Sequence, residues 1–180
     1  MARKLRLESC LQLGLLEEAE REIAALTGAA AVDKTTWAFL AACADRHYSR
    51  AMEGPAKYPA ADSGRDRQAA LVIYKSLAAI AGKDSSYGHL NDLLRMRLAG
   101  LYTLDHQPVQ AAAIYQEQLQ RNPISADALY NLAIAYEQQD KWEDAVSTWS
   151  KLSRGLAPGD SNWSEARLRT AQALIRLGKH

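Results

Sequence analysis

Apolar residues between Ala126 and Pro158 return at intervals of three and four, stop across a polar stretch, and then return again. Leu129, Leu132, Ala133 and Tyr136 fall on one stripe of a 3.6-residue helix, and Ala145, Trp149 and Leu152 fall on a second. The pattern predicts two short amphipathic helices joined by a tight turn after Gln139. Asp140 is placed to cap the second helix, with Glu143 three residues on reaching back as in a capping box. A hairpin of this size leaves part of each stripe uncovered, so it needs neighbours on both sides.

Those neighbours emerge when the chain is compared with itself. Leu98, Ala99, Tyr102, Ala111 and Tyr115 precede Leu132, Ala133, Tyr136, Ala145 and Trp149 by 34 residues, with size and polarity kept at each place. Small residues fall where two helices cross, and bulky ones fill the space above and below. This period and motif resemble the tetratricopeptide repeat family. The residues that carry the resemblance are Leu129, Leu132-Ala133, Tyr136, Ala145, Trp149 and Pro158, and before them Leu98-Ala99, Tyr102, Ala111, Tyr115 and Pro123. Two positions depart from it: Arg95 stands where Leu129 stands, and Pro158 comes one residue late. The resemblance implies an all-α fold, a right-handed α-solenoid of stacked antiparallel helical hairpins. Its concave groove would be lined mainly by the first helix of each pair.

Read in order, the sequence predicts one solenoid domain over 1–180. A partial repeat runs to about 33, a second covers 34–84, a third 85–125 and a fourth 126–160, and a closing helix spans 163–178. Gly14 makes the first turn, and Leu16, Ala19, Ile23 and Leu26 form the stripe that follows. Trp37, Leu40 and Ala41 place the next first helix. The run Glu53-Gly54-Pro55-Ala56-Lys57-Tyr58-Pro59 then falls where its second helix is due, and a helix does not cross such a stretch easily. The next stripe, Ala70, Tyr74 and Leu77, comes 17 residues late, so 49–65 reads as an insertion that extends the preceding helix and then loops out. Asp84, Ser85 or Ser86 is expected to cap a helix that starts early and runs through Leu90, Leu94, Leu98 and Tyr102. Pro108 suits the first turn of the following helix, and Ser125 caps the one after that. In the closing helix Ala171 and Leu174 are taken as the small and bulky packing residues. A chain that opens and closes part-way through a repeat fits a piece of a longer protein.

Composition narrows function more than fold. With 22 basic and 21 acidic residues the net charge is +1, which offers no global attraction to nucleic acid or to an anionic membrane. No apolar run approaches the roughly 18 residues a membrane span requires. The amino-terminal basic residues are followed by Glu8, Glu17 and Glu18 without the apolar core of a signal peptide. A soluble chain is expected, cytoplasmic rather than periplasmic unless a leader has been removed. Cys10 and Cys43 read as small buried residues rather than a redox pair. His47, His89, His106 and His180 have no Cys, Asp or second His at ligand spacing, so no metal site is expected. Neither a phosphate-binding glycine loop nor a nucleophile motif is present, and no catalytic residue or cofactor is expected. Trp37, Tyr74, Tyr102, Tyr115, Tyr136 and Trp149 lie on packing stripes, which makes them core before they are a platform for bases.

What remains is binding of protein. On the first helices, the residues not used for packing would face the groove. These are Met96 and Arg97 in the third repeat, Tyr130, Asn131 and Ile134 in the fourth, and Leu168, Arg169 and Gln172 in the closing helix. Apolar anchors mixed with guanidinium and amide groups suit a partner peptide or helix with an acidic or carboxylate-bearing segment. Of the carboxylate clamp that some relatives carry, only Asn131 and Arg169 match, while Met96, Gly100 and Glu165 replace the rest. Two other readings stand beside this one: a homo-oligomer assembled through unfinished ends, and a docking appendage of a larger bacterial enzyme or envelope machine.

Overall fold

His106 and Asp140 stand 34 residues apart and hold the same left-handed backbone conformation, with φ of 53° and 54°. Each follows the end of a helix with the same backbone bond. The Gln107 N–H donates to the Tyr102 carbonyl at 2.9 Å, and the Lys141 N–H donates to the Tyr136 carbonyl at 3.0 Å. Gly14, at φ 74°, makes the equivalent turn near the start of the chain, where the Leu15 N–H meets the Cys10 carbonyl at 2.9 Å. The repeat read from side chains is therefore also a repeat of the backbone.

The computed structural model describes residues 1–28, 32–54 and 57–178. Pro55 and Ala56 of the expected insertion, and His180, lie outside them. Among the described residues the elements are α1 (Ala2–Leu13), α2 (Leu16–Thr27), α3 (Lys34–Glu53), α4 (Ala60–Ala81), α5 (Asn91–Leu104), α6 (Pro108–Arg121), α7 (Ala126–Glu137), α8 (Trp142–Gly155) and α9 (Ser161–Arg176). The fold is all-α, of the α-solenoid class, built from stacked helical hairpins. No described helix is long and apolar enough to cross a membrane. The chain forms two compact units, Met1–Leu101 and Tyr102–His180.

In the first unit α4 is central. Ala69 to Tyr74 are buried without a break, so this stretch is enclosed on all sides, and α4 packs against α1, α2 and α3. Leu7 and Leu11 of α1, Ala19 and Ile23 of α2, and Leu40 and Ala44 of α3 supply the core around it. Asp33 starts α3 by accepting the backbone N–H groups of Thr35 and Thr36, both at 2.9 Å. Those bonds, with the Thr35 and Thr36 hydroxyls, hold its carboxyl well below the usual carboxylate range.

Three local expectations are corrected here. Of the stretch 49–65, Ser49 to Glu53 extend α3 as expected, but Ala60 to Arg65 belong to α4 and not to a loop. The third-repeat helix does not begin at Asp84. A short 3-10 turn, Gly88–Leu90, precedes α5, because Tyr87 is drawn inward. Its ring stacks on Trp37 with centroids 3.9 Å apart, and its hydroxyl donates to the Val32 carbonyl at 2.8 Å. Asp140 does not cap α8. It occupies the left-handed turn position, and Lys141 precedes the helix with no side-chain cap.

In the second unit α6, α7, α8 and α9 pack in succession. Pro108 opens α6, and Ser125 Oγ accepts the Ala128 N–H at 3.4 Å to start α7. Gln139 Nε2 donates to the Pro108 carbonyl at 3.1 Å, tying one hairpin turn to the next helix pair. The core is Leu129, Ala133, Ala145, Trp149, Leu152 and Ala166. The closing helix uses a register other than the expected one. Its buried small residues are Ala166 and Ala173, while Ala171 is exposed and Leu174 only partly buried. Its two alanines let α9 approach α7 and α8 closely, and nothing bulky is required at the crossing.

Candidate functional site

Helices α7 and α9 are joined by a chain of polar contacts across their shared face. The Tyr130 hydroxyl donates to Glu165 Oε1 at 3.0 Å, and Arg169 Nη2 is 3.5 Å from the same oxygen. Arg169 Nη1 donates to Glu137 Oε2 at 3.0 Å, and the other oxygen of Glu137 accepts the Trp149 indole N–H at 2.7 Å. The Tyr130 and Trp149 rings meet in a T-shaped arrangement with centroids 5.1 Å apart. Burial, and then the bond to Glu165, push the Tyr130 phenol above its ordinary range, so it stays a donor.

Beside this chain is a cleft of about 510 Å3 between the end of α7, the start of α8 and the second half of α9. Trp142, Ala173 and Ile175 give it apolar walls, and Glu137, Arg169, Gln172 and Arg176 its polar rim. The Arg176 guanidinium lies over the Trp142 ring, 5.8 Å from its centroid. Arg169 already has a carboxylate on either side. Arg176 has none within ion-pair reach among the described residues.

The residues singled out from sequence are thus separated into several environments. Arg169 and Gln172 line the cleft together. Tyr130 and Ile134 are partly buried against the Trp149 core, and the Asn131 amide donates to the Asp127 carbonyl of its own helix at 2.8 Å. Leu168 is exposed on the side of α9 away from the core. Met96 and Arg97 belong to the first unit. There Arg97 lies 4.7 Å over the Tyr48 ring and 3.8 Å from Asp45, which in turn accepts the Tyr74 hydroxyl at 2.6 Å. Burial, and then that bond, hold the Tyr74 phenol well above its usual value.

Sequence reasoning passed over Trp142, although it stands seven residues before Trp149 and so continues the same helical face by two turns. It also missed a pair that spacing could not reveal. His47, on α3, meets Asp66, on α4, with Nδ1 and Oδ1 2.6 Å apart and both side chains buried. Arg50 Nη1 stands 3.7 Å from the same oxygen. No group of three or more His, Cys, Asp or Glu among the described residues is placed to hold a metal ion.

Residues 102–164 match the model of a family described as tetratricopeptide repeat. The chain is similar to the crystal structure of the P58(IPK) TPR domain, with 16% identity and a TM-score of 0.48, over 98% of this chain and 55% of that one. It thus spans about half the length of that structure's chain. No curated protein matches it.

Proposed function

With residues 102–164 carrying tetratricopeptide repeats, we propose that the chain is a non-catalytic protein-interaction module whose second unit holds a segment of a protein partner in the cleft between α7, α8 and α9. The observation that carries this reading is the composition of the cleft. An apolar seat formed by Trp142, Ala173 and Ile175 adjoins a guanidinium, that of Arg176, which has no acid within ion-pair reach among the described residues. An apolar side chain followed by a carboxylate would fill the seat and meet the cation, since arginine guanidiniums pair strongly with carboxylates and read acidic motifs. Arg169 takes a supporting role. Its ion pairs with Glu137 and Glu165 fix the wall of the cleft and leave it little capacity for a second carboxylate.

The test is affinity capture from a lysate of the source cell, comparing the wild-type chain with a Trp142→Ala, Gln172→Ala variant of matched melting temperature. Proteins held by the first and lost by the second place docking in the cleft. The same proteins on both would remove the cleft from the account.

A further inference from the structure

We propose that the cavity around His47 in the first unit is a binding site for a phosphate monoester. A space of about 310 Å3 opens between the end of α1, the end of α3 and the start of α4. Leu11 gives it an apolar wall, and the rest of its lining is polar or charged. His47 is the group that the packing of the first unit leaves unexplained. Its side chain is only 8% exposed and lines the cavity. Nδ1 is committed to Asp66 Oδ1 at 2.6 Å, whereas Nε2 has no partner among the described residues. Burying an imidazole with one nitrogen unsatisfied costs stability unless a ligand or water meets it there. The carboxylate fixes the orientation of the ring, and with it the direction of Nε2.

Two guanidiniums share the lining with it. Arg50 is steadied by the Tyr58 ring, 5.2 Å from its centroid, and by Asp66 Oδ1, 3.7 Å from Nη1, yet it donates no hydrogen bond among the described residues. Arg65 reaches from α4 to the end of α1, where Nη1 donates to the Gln12 carbonyl at 3.3 Å. With the Gln12 amide, donors reach the cavity from three helices. A carboxylate has two oxygens in one plane to offer them, and a phosphoryl group has three around a centre. His47 sharpens the choice. With Nδ1–H on Asp66, Nε2 presents a lone pair when the ring is neutral and an N–H when it is charged. A phosphate monoester, whose second pKa is about 6, has the matching O–H or O− in either case. A carboxylate is ionised throughout this range and can only accept.

The two acids of the cavity do not exclude an anion. Asp66 is already covered by His47 and Arg50, and Asp62 is 48% exposed, 3.5 Å from Arg65. A surface pair of that kind is readily exchanged for the oxyanion of a ligand.

The experiment titrates the full chain with inorganic phosphate, glycerol phosphate, an acetylated phosphoserine amide and acetate at constant ionic strength, and follows the histidine imidazoles by NMR. Inorganic phosphate is expected to shift His47 saturably while His89 and His106 do not saturate, and acetate is expected to bind at least about tenfold more weakly. Tighter binding of glycerol phosphate names a free metabolite as the source of the phosphoryl group, tighter binding of the phosphoserine amide a modified side chain, and each supports the site. An Arg50→Gln, Arg65→Gln variant should bind phosphate at least about tenfold more weakly. Asp62→Asn should bind it about two- to fivefold more tightly, because the competitor for Arg65 is gone. All three side chains are nearly half exposed, so matched melting temperatures verify the fold of these variants. No saturable shift, a shift shared alike by all the histidines, acetate binding as tightly as phosphate, or unchanged affinity in the arginine variant would each overturn the inference. None of these residues belongs to the second unit, so failure here is distinct from failure of docking there.

Discussion

The Glu137 carboxylate accepts the Trp149 indole N–H at 2.7 Å through one oxygen and the Arg169 guanidinium at 3.0 Å through the other. One side chain at the end of α7 therefore satisfies the largest buried residue of the second unit and fastens the closing helix. Removing the acid strands the indole N–H in the core, whereas removing the arginine exposes the acid only to water it can reach.

This asymmetry orders three substitutions. Trp149→Ala is expected to lose about 3–5 kcal/mol, as buried aromatics do. Glu137→Ala should cost about 1–3 kcal/mol for the unsatisfied donor. Arg169→Ala should cost less than about 1 kcal/mol, because the guanidinium is 38% exposed and its pairs are partly screened. Urea unfolding of the three variants checks the order. Arg169→Ala proving more costly than Glu137→Ala would contradict it.

The hairpin turns offer a stabilising test. His106 and Asp140 hold φ of 53° and 54°, where a side chain is strained and glycine is not. His106→Gly and Asp140→Gly should each raise stability by about 0.5–1 kcal/mol. Gly14→Ala, at φ 74°, should lower it by a similar amount, because the added Cβ would meet Arg65 only at ordinary contact distance and the penalty is in the backbone. Thermal melts would show Asp140→Gly above wild type and Gly14→Ala below it.

Alkali should loosen the first unit. Burial pushes the Cys43 thiol up to about 11 from 9.0, and burial together with Asp45 raises the Tyr74 phenol above 10.0. Both folded values lie above the unfolded ones. Their stabilisation is whole below pH 9, and is lost as pH climbs past 9 and through the folded values. A series of urea midpoints from pH 7 to 11 should fall above pH 9, and Tyr74→Phe should flatten part of that fall. A midpoint that rises across this window would contradict the assignment.

Much of the fold was legible because repetition averages out local ambiguity. Leu132, Ala133, Ala145 and Trp149 are buried as their 34-residue counterparts Leu98, Ala99, Ala111 and Tyr115 are. What was not legible depended on contacts between distant segments. Tyr87 unwinds the start of its helix because Trp37 offers a stacking partner, and no local signal announces that. Asp140 had the chemistry of a cap but stood where the turn needed a left-handed residue. For α9 the choice between Ala171 and Ala173 turned on which face meets α7 and α8. Periodicity alone could not decide it. The same register error placed Leu168 with Arg169 in one groove, whereas they lie on different sides of the helix.

The most direct measurement is site-specific photo-cross-linking in the source cell, with a benzophenone amino acid at Gln172 in the cleft and, as control, at the exposed Ala113 of α6. The account predicts a discrete protein adduct from position 172 and none from position 113. Adducts of equal yield at both positions, or from position 113 alone, would contradict docking at the α7–α8–α9 end of the second unit.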